Sequence, residues 1–282
     1  MKALYDIPAP AKLNLFLHIT GRREDGYHLL QSAFMLIDWC DTLHFELRPG
    51  ADISREDLLA PLPPDDLIVR AARALQSAGA TGLGAHISVE KRLPAQAGMG
   101  GGSSDAASTL LALNRLWQLQ LSLEQLCRIG LALGADVPFF LQGHNAWVEG
   151  IGEKITPVTL PRSPVLVVKP LAGLDTRAIF SNPDLKRNSD PAIISGFAAD
   201  PFGFGRNDLQ PVAQTLCPGV SQALDWLESL GLKGRMTGSG SAVFAPAPPT
   251  WSVPKAPQAL EARLCHSLDV HPLAGWATSE KF

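Results

Sequence analysis

The run L-P-A-Q-A-G-M-G-G-G-S-S-D-A-A at 93–107 constrains this chain more than any other stretch: four glycines and two serines fall within the seven positions 98–104. Bare backbone permits positive φ and lets a neighbour approach the main chain closely. Upstream, Ala85, Ile87, Val89 and Lys91 alternate with His86, Ser88, Glu90 and Arg92, the period of a strand. Downstream, 104–117 predicts a helix, with Ser103, Ser104 and Asp105 competing for its N-cap. The loop therefore joins a strand to a helix start, where unpaired N–H groups and the positive end of the dipole suit a phosphate chain. A tight structural turn is the other reading of the same glycines. No Lys-Ser or Lys-Thr follows them, so this is not a Walker A loop, and Ser103 stands where a dinucleotide fingerprint needs its third glycine.

Alternation also marks residues 11–19, where Ala11, Leu13, Leu15, Leu17 and Ile19 oppose Lys12, Asn14, Phe16 and His18. This predicts a strand with one buried face. The turn signal Asp25-Gly26 reverses the chain into 27–30 and the apolar run 33–37, and 42–47 reads as a further strand. Apolar residues at helical spacing predict helices over 66–78 and 122–133, stopped by Gly79 and Gly134. Beyond a domain change near 155–162, the sequence predicts a short buried strand at 165–168 and a helix at 220–230. Two short strands are expected within 235–245 and a terminal helix at 261–268. The proline-rich stretch 246–257 reads as an extended connector. With 282 residues, the chain divides into domains 1–157 and 158–282.

Charge and cysteine usage exclude several functions. The 24 basic and 27 acidic residues leave a net charge of −3, which gives no broad face for nucleic acid but permits a small basic pocket. The 4 cysteines form no C-x-x-C pair, so neither a disulfide framework nor a zinc site is expected. No apolar run approaches the ~18 residues of a membrane span, and no secretory leader pattern is seen, so a cytoplasmic protein is expected. Two charged residues stand out. Lys91 ends the apolar row of its strand, as a pocket lysine or as one that snorkels to solvent. Asp136 lies on a constrained bend between Gly134-Ala135 and Val137-Pro138, as a turn former or a reactive carboxylate.

Pro94 through Ser104 resemble the second motif of the GHMP kinase superfamily. P-A-K-L-N-L at 10–15 resembles the first, and M-T-G-S-G-S-A at 236–242 the third, in the expected order. D-G-Y-H at 25–28, the triple glycine 100–102, G-A-D-V-P-F-F at 134–140 and V-K-P at 168–170 are similar to the branch acting on a cytidine diphosphate derivative of methylerythritol. The resemblance implies an α+β, two-domain GHMP kinase fold, with an N-terminal domain like domain 2 of ribosomal protein S5 and a ferredoxin-like C-terminal domain. It also implies transfer of the γ-phosphoryl of ATP to the 2-hydroxyl of that small-molecule substrate. Mg²⁺ is expected with ligands left open, and a monomer or homodimer is expected without nucleic-acid or membrane partners.

By the same resemblance, Asp136 is the base and Lys12 its catalytic partner. Pro94, Ala95, Gln96, Ala97, Gly98, Met99, Gly100, Gly101, Gly102, Ser103 and Ser104 bind ATP. Asn14, Tyr27, His28, Lys91, Thr176 and Phe180 bind substrate, with Tyr27 and Phe180 enclosing the cytosine and His28 at its edge. Neighbouring strand residues point to opposite faces, so Tyr27 and His28 meet one ligand only where the strand bends or bulges.

Overall fold

The computed structural model describes residues 1–278; the last four residues of the expected C-terminal domain lie outside this range. The first alternating segments form a long antiparallel ribbon, β1 (Ala3–Arg22) with β2 (His28–Arg48), joined through the turn at Asp25-Gly26. The runs 33–37 and 42–47, expected as separate strands, belong to β2 alone. β1 is also buried on both faces rather than one: Lys12, Asn14, Phe16 and His18 are as enclosed as Leu13 and Leu15. The reason is a second layer, in which Phe16 packs on Trp147, Phe197 and Phe204 with ring centroids 5.1–5.8 Å apart.

β3 (Ile53–Asp57) pairs parallel with β4 (Gly84–Glu90), which lies antiparallel to β2. Between them runs α1 (Leu67–Ala78), capped by the Asp66 side chain and stopped at Gly79 as its sequence predicts. α2 (Gly101–Leu116), α3 (Leu123–Leu133) and α4 (Val137–Gln142) follow, and Ser122 with Gln125 forms a capping box on α3. β5 (Ala146–Gly150) returns to β2 and carries β6 (Lys154–Pro157).

The second half contributes β7 (Pro164–Pro170), α5 (Thr176–Ser181), α6 (Ile194–Ala199), α7 (Gln210–Leu216) and α8 (Pro218–Ser229). Three strands complete it: β8 (Arg235–Met236), β9 (Val243–Pro246) and β10 (Leu260–Leu268). The predicted terminal helix at 261–268 is thus a strand. L-E-A-R-L-C-H-S-L carries good helix formers, but β7 offers an unpaired edge, and pairing from Leu260↔Pro170 to His266↔Pro164 overrides local propensity. Ser267 and Leu268 then pair with Ile37 and Leu36 of β2, so one sheet runs β3-β4-β2-β10-β7-β9-β8 across both halves. The core crosses too, since Leu13 and Met35 share a cluster with Val165, Phe244 and Cys265. No helix among the described residues is long and apolar enough to cross a membrane.

Candidate active site

A cleft of ≈ 1240 Å³ opens along the glycine loop, at the start of α2. Lys12, Asn14, Tyr27, His28, Lys91, Asp136, Thr176 and Phe180 all line it, together with every loop residue from Pro94 to Gly102. Ser103 and Ser104 do not; they lie within the first turn of α2.

The helix starts earlier than its sequence predicts. None of Ser103, Ser104 and Asp105 caps it: the N-cap is Gly100, in the left-handed conformation with φ 72°, and no side chain caps the turn. Its first N–H groups are therefore free to face an anion. Gly100 must be bare for a second reason, because a Cβ there would stand 3.0 Å from Phe140 Cζ and 3.2 Å from Lys12 Cε. The loop and the V-P-F-F segment are thereby in direct contact. The third glycine turn buttresses the loop from behind, with Ser241 N donating to Gln96 O at 3.0 Å and Ala242 N to Ala97 O at 3.3 Å. From β7, the buried Lys169 donates to the carbonyl of Ala172 at 3.1 Å, and Ser241 Oγ donates to the same oxygen at 2.7 Å.

β1 enters through its backbone, Lys12 N donating to Met99 O at 3.0 Å. The Lys12 side chain is 5% exposed. Its Nζ lies 3.4 Å from Asp136 Oδ2, 2.5 Å from Asn14 Oδ1 and 4.4 Å from the Phe34 ring centre. Asp136 stands at the N-cap position of α4, but its carboxylate caps nothing and stays partly open to the cleft. A free carboxylate beside a buried ammonium can take a proton from a bound hydroxyl while the ammonium offsets developing negative charge. Asn14 is engaged at both ends, accepting from Lys12 and donating to Ser32 Oγ at 2.8 Å, which makes it a support for the lysine.

Lys91 neither snorkels nor reaches freely into the cleft. Its Nζ donates to Asp41 and, at 2.6 Å, to Asp105, both side chains being buried. Asp41 also accepts from the backbone N–H of Arg92 at 2.6 Å and Leu93 at 2.7 Å, pinning the start of the glycine loop. Burial opposes the Lys91 charge, yet Asp105 and Asp41 together raise its pKa. Burial drives the Asp105 carboxyl up from 3.8 to about 8 against the pull of Lys91, and Asp105 Oδ1 is left without a partner. Such a group holds its proton in the folded state and loses it on unfolding, so its stabilising contribution falls as pH rises between 3.8 and about 8. In thermal melts, Asp105→Asn should therefore gain on the parent protein progressively through that window and level off above it. A Tm difference independent of pH contradicts this protonation state.

Tyr27 and His28 reach the same cleft because the turn places Tyr27 ahead of β2, outside the strand's alternation. Tyr27 is 61% exposed along the cleft. The His28 and Phe180 rings lie 5.1 Å apart at 38°, and Thr176 Oγ1 sits 2.7 Å from Ser239 Oγ. Sequence reasoning missed Asp41, Asp105 as a hydrogen-bond partner of Lys91, and Arg187, which hydrogen-bonds His28.

Comparison with known proteins gives this arrangement a family. The model for the GHMP kinases N terminal domain matches residues 66–144, and that for GHMP kinases C terminal matches 194–265. The 4-diphosphocytidyl-2-C-methyl-D-erythritol kinase of Albidiferax ferrireducens is 72% identical, over 100% of this chain and 98% of its own. A crystal structure of 4-(cytidine 5'-diphospho)-2C-methyl-D-erythritol kinase superposes with a TM-score of 0.74 at 32% identity, covering 92% of this chain and 98% of its own. Homoserine kinase from Cytophaga hutchinsonii shares the fold alone, at 13% identity and a TM-score of 0.69 over 96% of each chain. Both domain models fall in order along a chain whose relatives match it end to end: it belongs to the GHMP kinase family, with that family's two-domain fold and its use of ATP as phosphoryl donor.

Proposed function

We propose that the protein transfers the γ-phosphoryl group of ATP to the 2-hydroxyl of 4-diphosphocytidyl-2-C-methyl-D-erythritol, giving the 2-phosphate and ADP in non-mevalonate isoprenoid precursor biosynthesis. One observation carries the reading. In a chain 72% identical to a kinase of that name, a single cleft runs from Tyr27, His28 and Phe180 past Lys12 and Asp136 to the glycine loop.

Phosphoryl transfer demands positioning and charge neutralisation more than covalent help. Asp136 accepts the hydroxyl proton as the substrate oxygen bonds to the γ-phosphorus and the bond to the ADP oxygen breaks. Lys12, 3.4 Å from Asp136, orients that carboxylate and offsets charge on the transferring group. The N–H groups at the start of α2 hold the phosphate chain, and Tyr27 and Phe180 enclose the cytosine.

Among the described residues no group of three acidic, His or Cys side chains could hold a metal ion. Beside a nucleotide, Mg²⁺ takes one or two protein oxygens and fills its shell with phosphate and water. Ser104 Oγ is buried without a hydrogen-bond partner in the first turn of α2 but does not line the cleft, so phosphate and water would make up most of such an ion's shell. A bound ion would supply neutralisation of phosphate charge. The four cysteines stay as free thiols, which supports a cytoplasmic site of action.

A coupled assay with MgATP and the cytidine substrate, run beside mevalonate and homoserine, tests the reading. Turnover is expected with the cytidine compound alone, and turnover of mevalonate in its place rejects it. Base stacking is worth about 1–3 kcal/mol, so Tyr27→Ala should raise KM for the cytidine substrate by about 10- to 100-fold with kcat nearly kept. An unchanged KM removes Tyr27 from the base site.

A further inference from the structure

Arg187 lies in the segment between α5 and α6, away from the phosphate end of the cleft, and no motif drew attention to it. Its guanidinium ties together two sides of the aromatic pocket. Nε donates to His28 Nε2 at 3.1 Å, and Nη2 donates to the carbonyls of Phe180 at 3.1 Å and Asn182 at 2.7 Å. Nη1 donates to Leu185 O at 3.0 Å. One side chain thus sets the backbone that carries Phe180 and the ring of the histidine facing it.

The contact to His28 has a chemical consequence. A guanidinium has donors only, so His28 Nε2 must accept and carries no proton. A neutral ring then bears its proton on Nδ1. Burial, followed by the charges of Arg187 and Arg22, lowers the His28 pKa and favours that neutral form.

We propose that Arg187 is a positioning residue for base specificity: it fixes His28 as the Nδ1–H tautomer, so that the ring offers a hydrogen-bond donor to the pyrimidine. N3 of cytosine is an acceptor, whereas N3 of uracil bears a hydrogen. A fixed donor facing that position pairs with cytosine and meets a second donor in uracil. Without Arg187, the ring is free to exchange tautomers and present an acceptor to either base. The proposal rests on the reading of the cleft as a cytidine diphosphate site.

Two measurements on the full chain test it. In ¹⁵N spectra, with His28 assigned by difference against His28→Gln, the unmodified protein should carry its proton on Nδ1, and Arg187→Met should show a tautomer mixture. In kinetics, the ratio of kcat/KM for the cytidine substrate over its uridine counterpart should fall by about tenfold in Arg187→Met, the scale of one mispaired polar contact. A general loosening of the segment would weaken both substrates alike and leave that ratio untouched. An Nε2–H tautomer in the unmodified protein overturns the proposal, as does an unchanged ratio in the variant. If the unmodified protein shows no preference for cytidine, the reading of the cleft falls with it, whereas a preserved preference with an unchanged ratio removes the role of Arg187 alone.

Discussion

Asp136→Asn is expected to fold like the parent protein and to lose about 10²–10⁴-fold in kcat, the range that a positioned general base contributes. Folding should survive because the Asp136 side chain caps nothing at the start of α4; the backbone turn there rests on Val137 N donating to Gly134 O at 3.1 Å. The amide is isosteric and can still accept from Lys12, whose Nζ lies 3.4 Å from Oδ2, so the lysine keeps its place. What disappears is an oxygen basic enough to take the hydroxyl proton. KM for both substrates should change little, since the loss lies in the transition state. Single-turnover rates with a melting curve on the same sample separate chemistry from folding, and near-parental turnover would strip Asp136 of the base role.

Gly98→Ala should cause the largest loss of stability among the loop variants, about 3 kcal/mol or more. Gly98 sits at φ 71°, where an alanine costs about 1–2 kcal/mol by itself. A Cβ would also collide with the carbonyl oxygen of Thr237 and stand 2.8 Å from Gly240 N. Both neighbours are backbone and cannot rotate away. Relief requires the third glycine turn to separate from the loop, yet that turn also holds β1, through Asn14 N donating to Thr237 Oγ1 at 2.8 Å. Turnover should fall with stability, because the same displacement reaches Lys12 through β1. Gly50 is the control: it has φ 82°, with nothing within 4 Å of its Cβ, so Gly50→Ala meets the backbone strain without the collision. Equal Tm losses in the two variants would refute the steric account.

Much of this site was legible in one dimension. The glycine loop stood out because so much bare backbone between a strand and a helix has few uses, whereas Lys12 and Asp136 were singled out through the resemblance of P-A-K-L-N-L and G-A-D-V-P-F-F to family motifs. Helices over 67–78 and 123–133 were equally plain, since their caps and apolar spacing are local properties. Where the partner is distant in sequence, local signals failed. The segment 261–268 reads as a helix and becomes β10 because β7 and β2 supply its hydrogen bonds. The alternation over 11–19 predicts a strand with one buried face and both faces are buried, since nothing local in β1 reveals the layer that covers the second.

The sequence by itself determined the local pieces: a glycine-rich turn from strand to helix, the helix caps, and the motifs that carry Lys12, Tyr27 and Asp136, each encoded by residue type and short spacing. Tertiary structure decided their working relations. It set Lys12 against Asp136 across 124 positions of chain. It held Lys91 between Asp41 and Asp105, and aimed Arg187 at His28. Charges and hydrogen bonds act over a few ångströms, and only the packing of β1, α2 and α4 on one sheet brings such distant residues within that range.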